Sequence, residues 1–207
     1  MPNYVLNRVT FYGSDADLAS LRLFVTSENN DFDFNNIIHM PKSLNVEDGS
    51  KREVAVACAK ARKQGKTKCD EYVNRPWAAE KPFKEWADLG DVYLSNKELY
   101  GYETWYGWCN HNWGTKWNSC DAVWRSDNYV EFETAWNMPE EIFLKLAELF
   151  PNLTFEVDFA DEDIGINCGR GHFNDDGNSW VDYVDTPEFA CDVWETDYEE
   201  WKREQGE

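Results

Sequence analysis

The hydrophobic pattern of this chain changes period several times, and each change marks an element. Tyr4 to Tyr12 alternates, with Val5, Val9 and Phe11 on one face, interrupted by Asn7, and Leu6, Arg8 and Thr10 on the other. A period of two predicts a strand. Gly13 breaks it, Ser14 or Asp15 stands where a helix cap belongs, and Leu18, Leu21 and Val25 follow at helical spacing. Asn29 and Asn30 end that helix, and Phe32, Phe34 and Ile37 predict a second strand closing at Pro41. From Leu44 to about Tyr100 the spacing is helical: Val54, Ala55, Cys58 and Ala59 form one stripe stopped by Gly65, and Phe83, Trp86 and Ala87 form another ended by Gly90.

Tyr129 to Ala135 returns to alternation, with Val130, Phe132 and Thr134 opposite Tyr129, Glu131 and Glu133. Asn137 is placed to cap the next helix, Pro139 fits its first turn, and Glu140 and Glu141 suit its positive end. Ile142, Phe143, Leu146, Leu149 and Phe150 give that helix an apolar face before Pro151 stops it. Leu153, Phe155, Val157 and Phe159 then alternate with Thr154, Glu156 and Asp158. Two further strands are expected at Ile164 to Cys168 and around Trp180 to Val184, joined through Gly169, Gly171 and Asp175-Asp176-Gly177. Pro187 opens a last helix carrying Phe189, Ala190, Val193, Trp194 and Trp201.

Strand–helix–strand, insertion, strand–helix–strand is the order of a split βαβ, or ferredoxin-like, α+β fold. The expected domain comprises residues 1–42 and 105–207, with extra C-terminal strands and a helix, and residues 43–104 form a helical insertion. The first strand should lie between Tyr129–Ala135 and Leu153–Phe159 in one antiparallel sheet. Arg8 would then face carboxylates on both neighbours. The clean alternation fits a sheet covered on one face.

Charge changes this picture. The net charge is −20, yet Met1 to Gly90 holds thirteen basic and thirteen acidic residues, whereas Asp91 to Glu207 holds seven and twenty-seven. Direct binding of nucleic acid through its phosphates needs clustered Lys and Arg and is not expected. The cluster Lys60, Arg62, Lys63, Lys66 and Lys68 reads as a solvated helix face. Gly65-Lys66-Thr67 resembles the end of a phosphate-binding loop, but Lys60 stands where its first glycine belongs. No apolar run approaches the ~20 residues of a membrane helix, and the N-terminus lacks the pattern of a signal peptide.

Six cysteines form no CxxC pair, and Cys109-Asn110-His111 with Cys120 falls short of a four-ligand zinc site. No metal or cofactor is expected. Trp105, Trp108, Trp113, Trp117 and Trp124 are too irregular for one helix and predict a packed aromatic seam joining the insertion to the main domain. The sharper alternative is a ligand platform of Trp108, His111, Trp113, Lys116 and Trp117, an aromatic surface suited to a cation. His111, Cys109 and Lys116 are the only enzyme candidates in this region. No nucleophile elbow, HExxH or paired-carboxylate motif accompanies them, so no catalytic residue is assigned.

The start MPNYVLNRVTFYG, the block NWGTKWN at Asn112 to Asn118, and FETAWNMPEEIFLKLAELFPNLTF at Phe132 to Phe155 resemble the YubB-type proteins of plasmids and phages. The resemblance covers the first strand and roughly Trp108 to Phe159. It implies a ferredoxin-like domain and a mobile-element setting, hence the cytoplasm of a bacterial host, and it carries no established activity. With the segregated charge, it leads to the expectation of an acidic accessory protein. Such a protein would bind a basic host protein, one that handles nucleic acid, and block it as a nucleic-acid mimic. One continuous negative face is expected from Glu131, Glu133, Glu156 and Asp158 on the strands and Asp192, Glu195 and Glu199 on the last helix. The plain alternative is a solvated acidic surface.

Overall fold

The computed structural model describes residues 3–206. The chain divides into two compact units, Met1–His39 with Asn110–Glu207, and Met40–Cys109. In chain order the elements are β1 (Tyr4–Tyr12), α1 (Asp15–Val25), α2 (Phe34–Ile37), α3 (Ser50–Lys63), α4 (Asp70–Val73), α5 (Phe83–Tyr100), α6 (Trp105–Asn112), β2 (Cys120–Trp124), β3 (Tyr129–Ala135), α7 (Glu140–Leu149), β4 (Thr154–Asp161), β5 (Cys168–Phe173), β6 (Trp180–Tyr183), α8 (Pro187–Val193) and α9 (Tyr198–Gln205).

The first unit is built on one antiparallel sheet of order β2-β3-β1-β4-β5-β6. β1 lies between β3 and β4, as its pattern predicts. Val5, Val9 and Phe11, Val130 and Phe132, Phe155, Val157 and Phe159 fill one face with α1 and α7 over it, and all are buried. Aromatic rings knit that face: Phe32 stacks on Phe132 at 4.7 Å between centroids, and Phe143 meets Phe173 at 5.2 Å. Ser14 caps α1, its hydroxyl accepting from the Asp17 N–H.

Four local expectations are corrected. Phe32 to Ile37 is not a strand: Asp33 accepts from the Asn35 N–H and caps α2, so a local cap overrides the alternation while Phe32, Phe34 and Ile37 stay in the core. The second strand of the split βαβ is instead β2, so the insertion stands between α1 and β2. β2 was unreadable because it is five residues long, bulged between Cys120 and Val123, and has Asp121 at φ 49°. β5 is Cys168–Phe173, not Ile164–Cys168. Its Gly169 is required by close strand approach, since a Cβ there would meet the Asp182 carbonyl oxygen at 2.2 Å. Finally, Pro139 rather than Asn137 occupies the cap of α7, with no side-chain cap bond.

The expected last helix is two helices. Thr186 caps α8 and Asp197 caps α9, and Glu195 at φ 53° marks the break. The second face of the sheet is not bare either. α8 packs Ala190 and Val193 over Ala160 and Cys168, with Leu6, Phe189 and Trp194 around them, and the Trp194 indole donates to the Ala160 and Asp161 carbonyls.

The second unit is a helical pair, α3 against α5. Gly90 does not end a helix but sits inside α5 where α3 crosses it; a Cβ there would lie 1.9 Å from the Ala55 carbonyl oxygen. Val54, Ala55, Cys58, Ala78, Trp86, Ala87 and Tyr93 form its core. The polar tips of the large rings are satisfied: Trp86 donates to the Ala78 carbonyl at 2.7 Å and Tyr93 to the Glu47 carbonyl at 2.6 Å.

Candidate functional site

Antiparallel register aligns the outward positions of the sheet into rows. One row runs Val123, Glu131, Arg8, Asp158, Arg170, Asp182 from β2 to β6. Its charges alternate in sign. Arg8 Nε lies 3.4 Å from Glu131, Arg125 Nε donates to Glu131 at 2.7 Å, and Arg170 Nε donates to Asp158 at 3.1 Å. Arg8 also reaches α8 and the turn after it, donating to the Asp192 carbonyl at 3.0 Å and pairing with Glu195. The next row, Tyr129, Thr10, Glu156, His172, Trp180, is aromatic at both ends. His172 stacks on Trp180 at 6.0 Å, and Tyr12 donates to Glu156 at 3.1 Å.

The seven expected carboxylates therefore divide. Glu131, Asp158 and Glu195 are held by arginines. Glu156, Asp192 and Glu199, with Asp182 beside them, are exposed and form no ion pair among the described residues. Glu133 is half-buried. The outward strand positions are thus a salted row rather than an unbroken negative stripe. The sequence anticipated Arg8. It did not show Arg125 and Arg170, because β2 was unread and Arg170 was assigned to a hairpin.

Burial acts on each group differently. Burial raises the Glu131 carboxyl, but the hydrogen bonds from Tyr129 and Arg125 outweigh it and hold it below the ordinary glutamate value. The Tyr129 phenol is pushed up, by burial first and then by its bond to Glu131. Glu133 is raised by burial and then by the charges of Asp121 and Glu162. Asp158 is raised by burial, with Arg170 pulling the other way.

The tryptophan block is a latch. The Trp113 indole donates to the Ile38 carbonyl at 2.8 Å, Thr115 donates to the Ala135 carbonyl at 2.7 Å, and Asn118 Oδ1 accepts from the Phe34 N–H at 2.8 Å. The Ser119 hydroxyl bonds the Phe32 carbonyl. These contacts tie the segment around α2, which replaces the expected strand, to the edge of the sheet. Gly114 at φ 75° makes the turn that permits them, and a Cβ there would crowd the Glu140 N–H at 3.3 Å.

Of the alternative ligand platform, Trp108 and Trp113 are buried, Trp117 and Lys116 are half-buried and His111 is exposed; Trp108 belongs to the helical unit. The Lys116 ammonium lies 4.4 Å from the Trp117 ring centre and 4.6 Å from that of Trp136. The cation an aromatic cage would bind is thus supplied by the chain itself. Trp136, a member of that pair, was not foreseen. Among the described residues no group of three His, Cys, Asp or Glu could hold a metal, and no helix is long and apolar enough to cross a membrane.

Residues 112–205 match the family model of a ferredoxin-like domain in Api92-like protein. This segment is a ferredoxin-like domain. It spans β2 to α9, and β1 completes its sheet from outside the matched range. A solved structure, protein api92 from Yersinia pseudotuberculosis, aligns with 89% of this chain and 99% of its own at 13% identity and a TM-score of 0.44. No curated protein matches.

Proposed function

We propose that the ferredoxin-like unit is a non-enzymatic docking module for a basic protein partner. The observation that carries this is the segregation of charge. The sheet unit holds 29 acidic and 8 basic residues, while the helical unit holds 11 and 12. A surplus of that size repels itself and opposes folding. The docking surface proposed is the outward side of the sheet with the two C-terminal helices, and its effective groups are Glu156, Asp182, Asp192 and Glu199. Arg8, Arg125 and Arg170 fix the neighbouring carboxylates and give that side a rigid frame. Unpaired carboxylates presented from two strands and two helices suit a basic groove shaped for nucleic acid. The reading therefore extends to mimicry of nucleic acid against a host protein, in the plasmid or phage setting that the sequence resemblance implies.

The test is charge reversal at Glu156, Asp192 and Glu199 to Lys. The triple variant should keep the wild-type melting temperature, because exposed charges contribute little to stability. Wild type should retain a basic protein from a bacterial lysate, and release it as salt shortens the Debye length to about 8 Å at 0.15 M and below. Duplex DNA should compete for that protein. Equal retention by the triple variant would leave only a solvated acidic surface.

A further inference from the structure

We infer that Cys58 and Cys69 form a reactive dithiol that a small anionic disulfide converts to an intramolecular disulfide, with Cys69 attacking and Cys58 resolving. The two Sγ atoms share a hydrogen bond at 3.5 Å. A covalent S–S bond requires them to close by about 1.5 Å. No other two cysteines share a hydrogen bond among the described residues.

Their surroundings differ and set the order of events. Cys58 projects from α3 into the core of the helical unit and is wholly buried, whereas Cys69, just before α4, is half-buried. Cys69 also lines an open groove of ≈ 530 Å³, so a solute reaches it first. Three exposed lysines, Lys60, Lys66 and Lys68, line the same groove and form no ion pair among the described residues. Glu53, Asp70 and Glu71 line it too; Glu53 is held by Arg75 at 2.6 Å, and Asp70 and Glu71 form no ion pair among the described residues. The three unpaired lysines outnumber the two unpaired carboxylates, which favours a reagent that carries carboxylates. Burial pushes the Cys58 thiol up to about 12, aided by the hydrogen bond and charge of Cys69, which makes Cys58 a poor first nucleophile.

The steps balance. The Cys69 thiolate attacks one sulfur of the reagent, the reagent's S–S bond breaks, and one thiolate leaves. Cys58 gives its proton to solvent and attacks Sγ of Cys69 in the mixed disulfide, and the second thiolate leaves. Two protein thiols are oxidised, and one reagent disulfide is reduced to two thiols. The product closes a ring of residues 58–69, the end of α3 and the turn to α4, which carries Lys60, Arg62, Lys63, Lys66 and Lys68.

The experiment incubates the full chain with oxidised glutathione and reads intact mass and peptide maps. Wild type should lose two hydrogens, about 2 Da, yield a Cys58–Cys69 cross-linked peptide and keep no adduct. Cys58→Ala should stop at one glutathione on Cys69, and Cys69→Ser should leave this segment unmodified. The double variant Lys66→Ala, Lys68→Ala should react several-fold more slowly with oxidised glutathione, and at an unchanged rate with uncharged hydroxyethyl disulfide. A lasting adduct on wild type, an adduct on Cys58 in Cys69→Ser, or a cross-link between other cysteines would overturn the dithiol assignment. Equal slowing with both reagents would overturn the role given to the lysines.

Discussion

The two units handle charge in opposite ways. In the helical unit six of the twelve cations are placed against a carboxylate of the same unit, among them Arg62 against Asp88 and Asp91, Arg75 against Glu53, Arg52 against Asp48 and Glu103, and Lys51 against Glu47. Its 11 acidic and 12 basic residues nearly balance. In the sheet unit the cations are too few for that. Arg8 and Arg125 sit at the half-buried Glu131 and Arg170 at the half-buried Asp158, while Arg22 and Lys145 pair with the exposed Asp127 and Glu148. The more exposed Glu156, Asp182, Asp192 and Glu199 of β4, β6, α8 and α9 form no ion pair among the described residues. Charge in the first case is part of how the unit folds. In the second the surplus does nothing for folding, which is why it is assigned to something outside the chain.

If packing is independent of that surplus, the buried tryptophans of the two units should be worth the same. Trp113 is 3% exposed in the sheet unit and Trp86 is 0% exposed in the helical unit, and each indole donates to a carbonyl. Trp113→Ala and Trp86→Ala should each cost about 3–5 kcal/mol in urea unfolding. A clearly smaller cost for Trp113→Ala would mean that self-repulsion keeps the sheet unit loosely packed.

The arginines sharpen the comparison at a smaller scale. The Arg8 side chain is 17% exposed, as is Glu131 at 15%, whereas Arg62 and its partners Asp88 and Asp91 are 34%, 48% and 42% exposed. Arg8→Ala removes the hydrogen bond to the Asp192 carbonyl and one of the two arginines at Glu131, which keeps Arg125 and Tyr129, and should cost about 1.5–3 kcal/mol, the range for a hydrogen bond to a charged group. Arg62→Ala should cost under about 1 kcal/mol. Melting curves of the two variants check this, and equal costs would erase the distinction between the salted row and an ordinary surface network.

What the sequence made legible follows the same division. β1, β3, α7 and β4 were readable because each carries a period sustained over seven or more residues, interrupted only by Asn7 in β1, and their order alone placed β1 centrally and Arg8 between carboxylates. Phe32–Ile37 misled because its alternating phenylalanines are core residues around an Asp33 cap; hydrophobicity reports burial there, and the cap decides the backbone. β2 was hidden by its bulge, and with it Arg125. The candidate surface was legible in composition but not in effect. Which carboxylates stay unpaired depends on cross-strand register, and no linear pattern carries that. The tryptophan block was read as a seam; that its Lys116 fills the space between Trp117 and Trp136 needed the fold around Trp136.

The smallest effect tests whether repulsion in the sheet unit is local. Glu133 stands between Cys120 and Leu6 in the sheet and forms no ion pair among the described residues. Its carboxyl is raised by burial and then by Asp121 and Glu162. A raised value means that the folded chain holds this proton more tightly than the unfolded chain does. The contribution to stability is thus fully present below the ordinary glutamate value of about 4.3, and is lost as pH rises through the raised one. At pH 7 the ionised group is a liability. Glu133→Gln removes the ionisation while keeping the shape, so it should stabilise the chain at pH 7 by under about 1 kcal/mol. The gain should vanish below about pH 4, where both side chains are neutral. Glu131 has the opposite sign: its value is lowered, so its contribution is present at neutral pH and lost on acidification. Glu131→Gln should therefore destabilise at pH 7, and the two variants should diverge with rising pH in paired thermal melts. If both shift the melting temperature in the same direction at pH 7, the charge of this unit acts as a diffuse field and not through the contacts described.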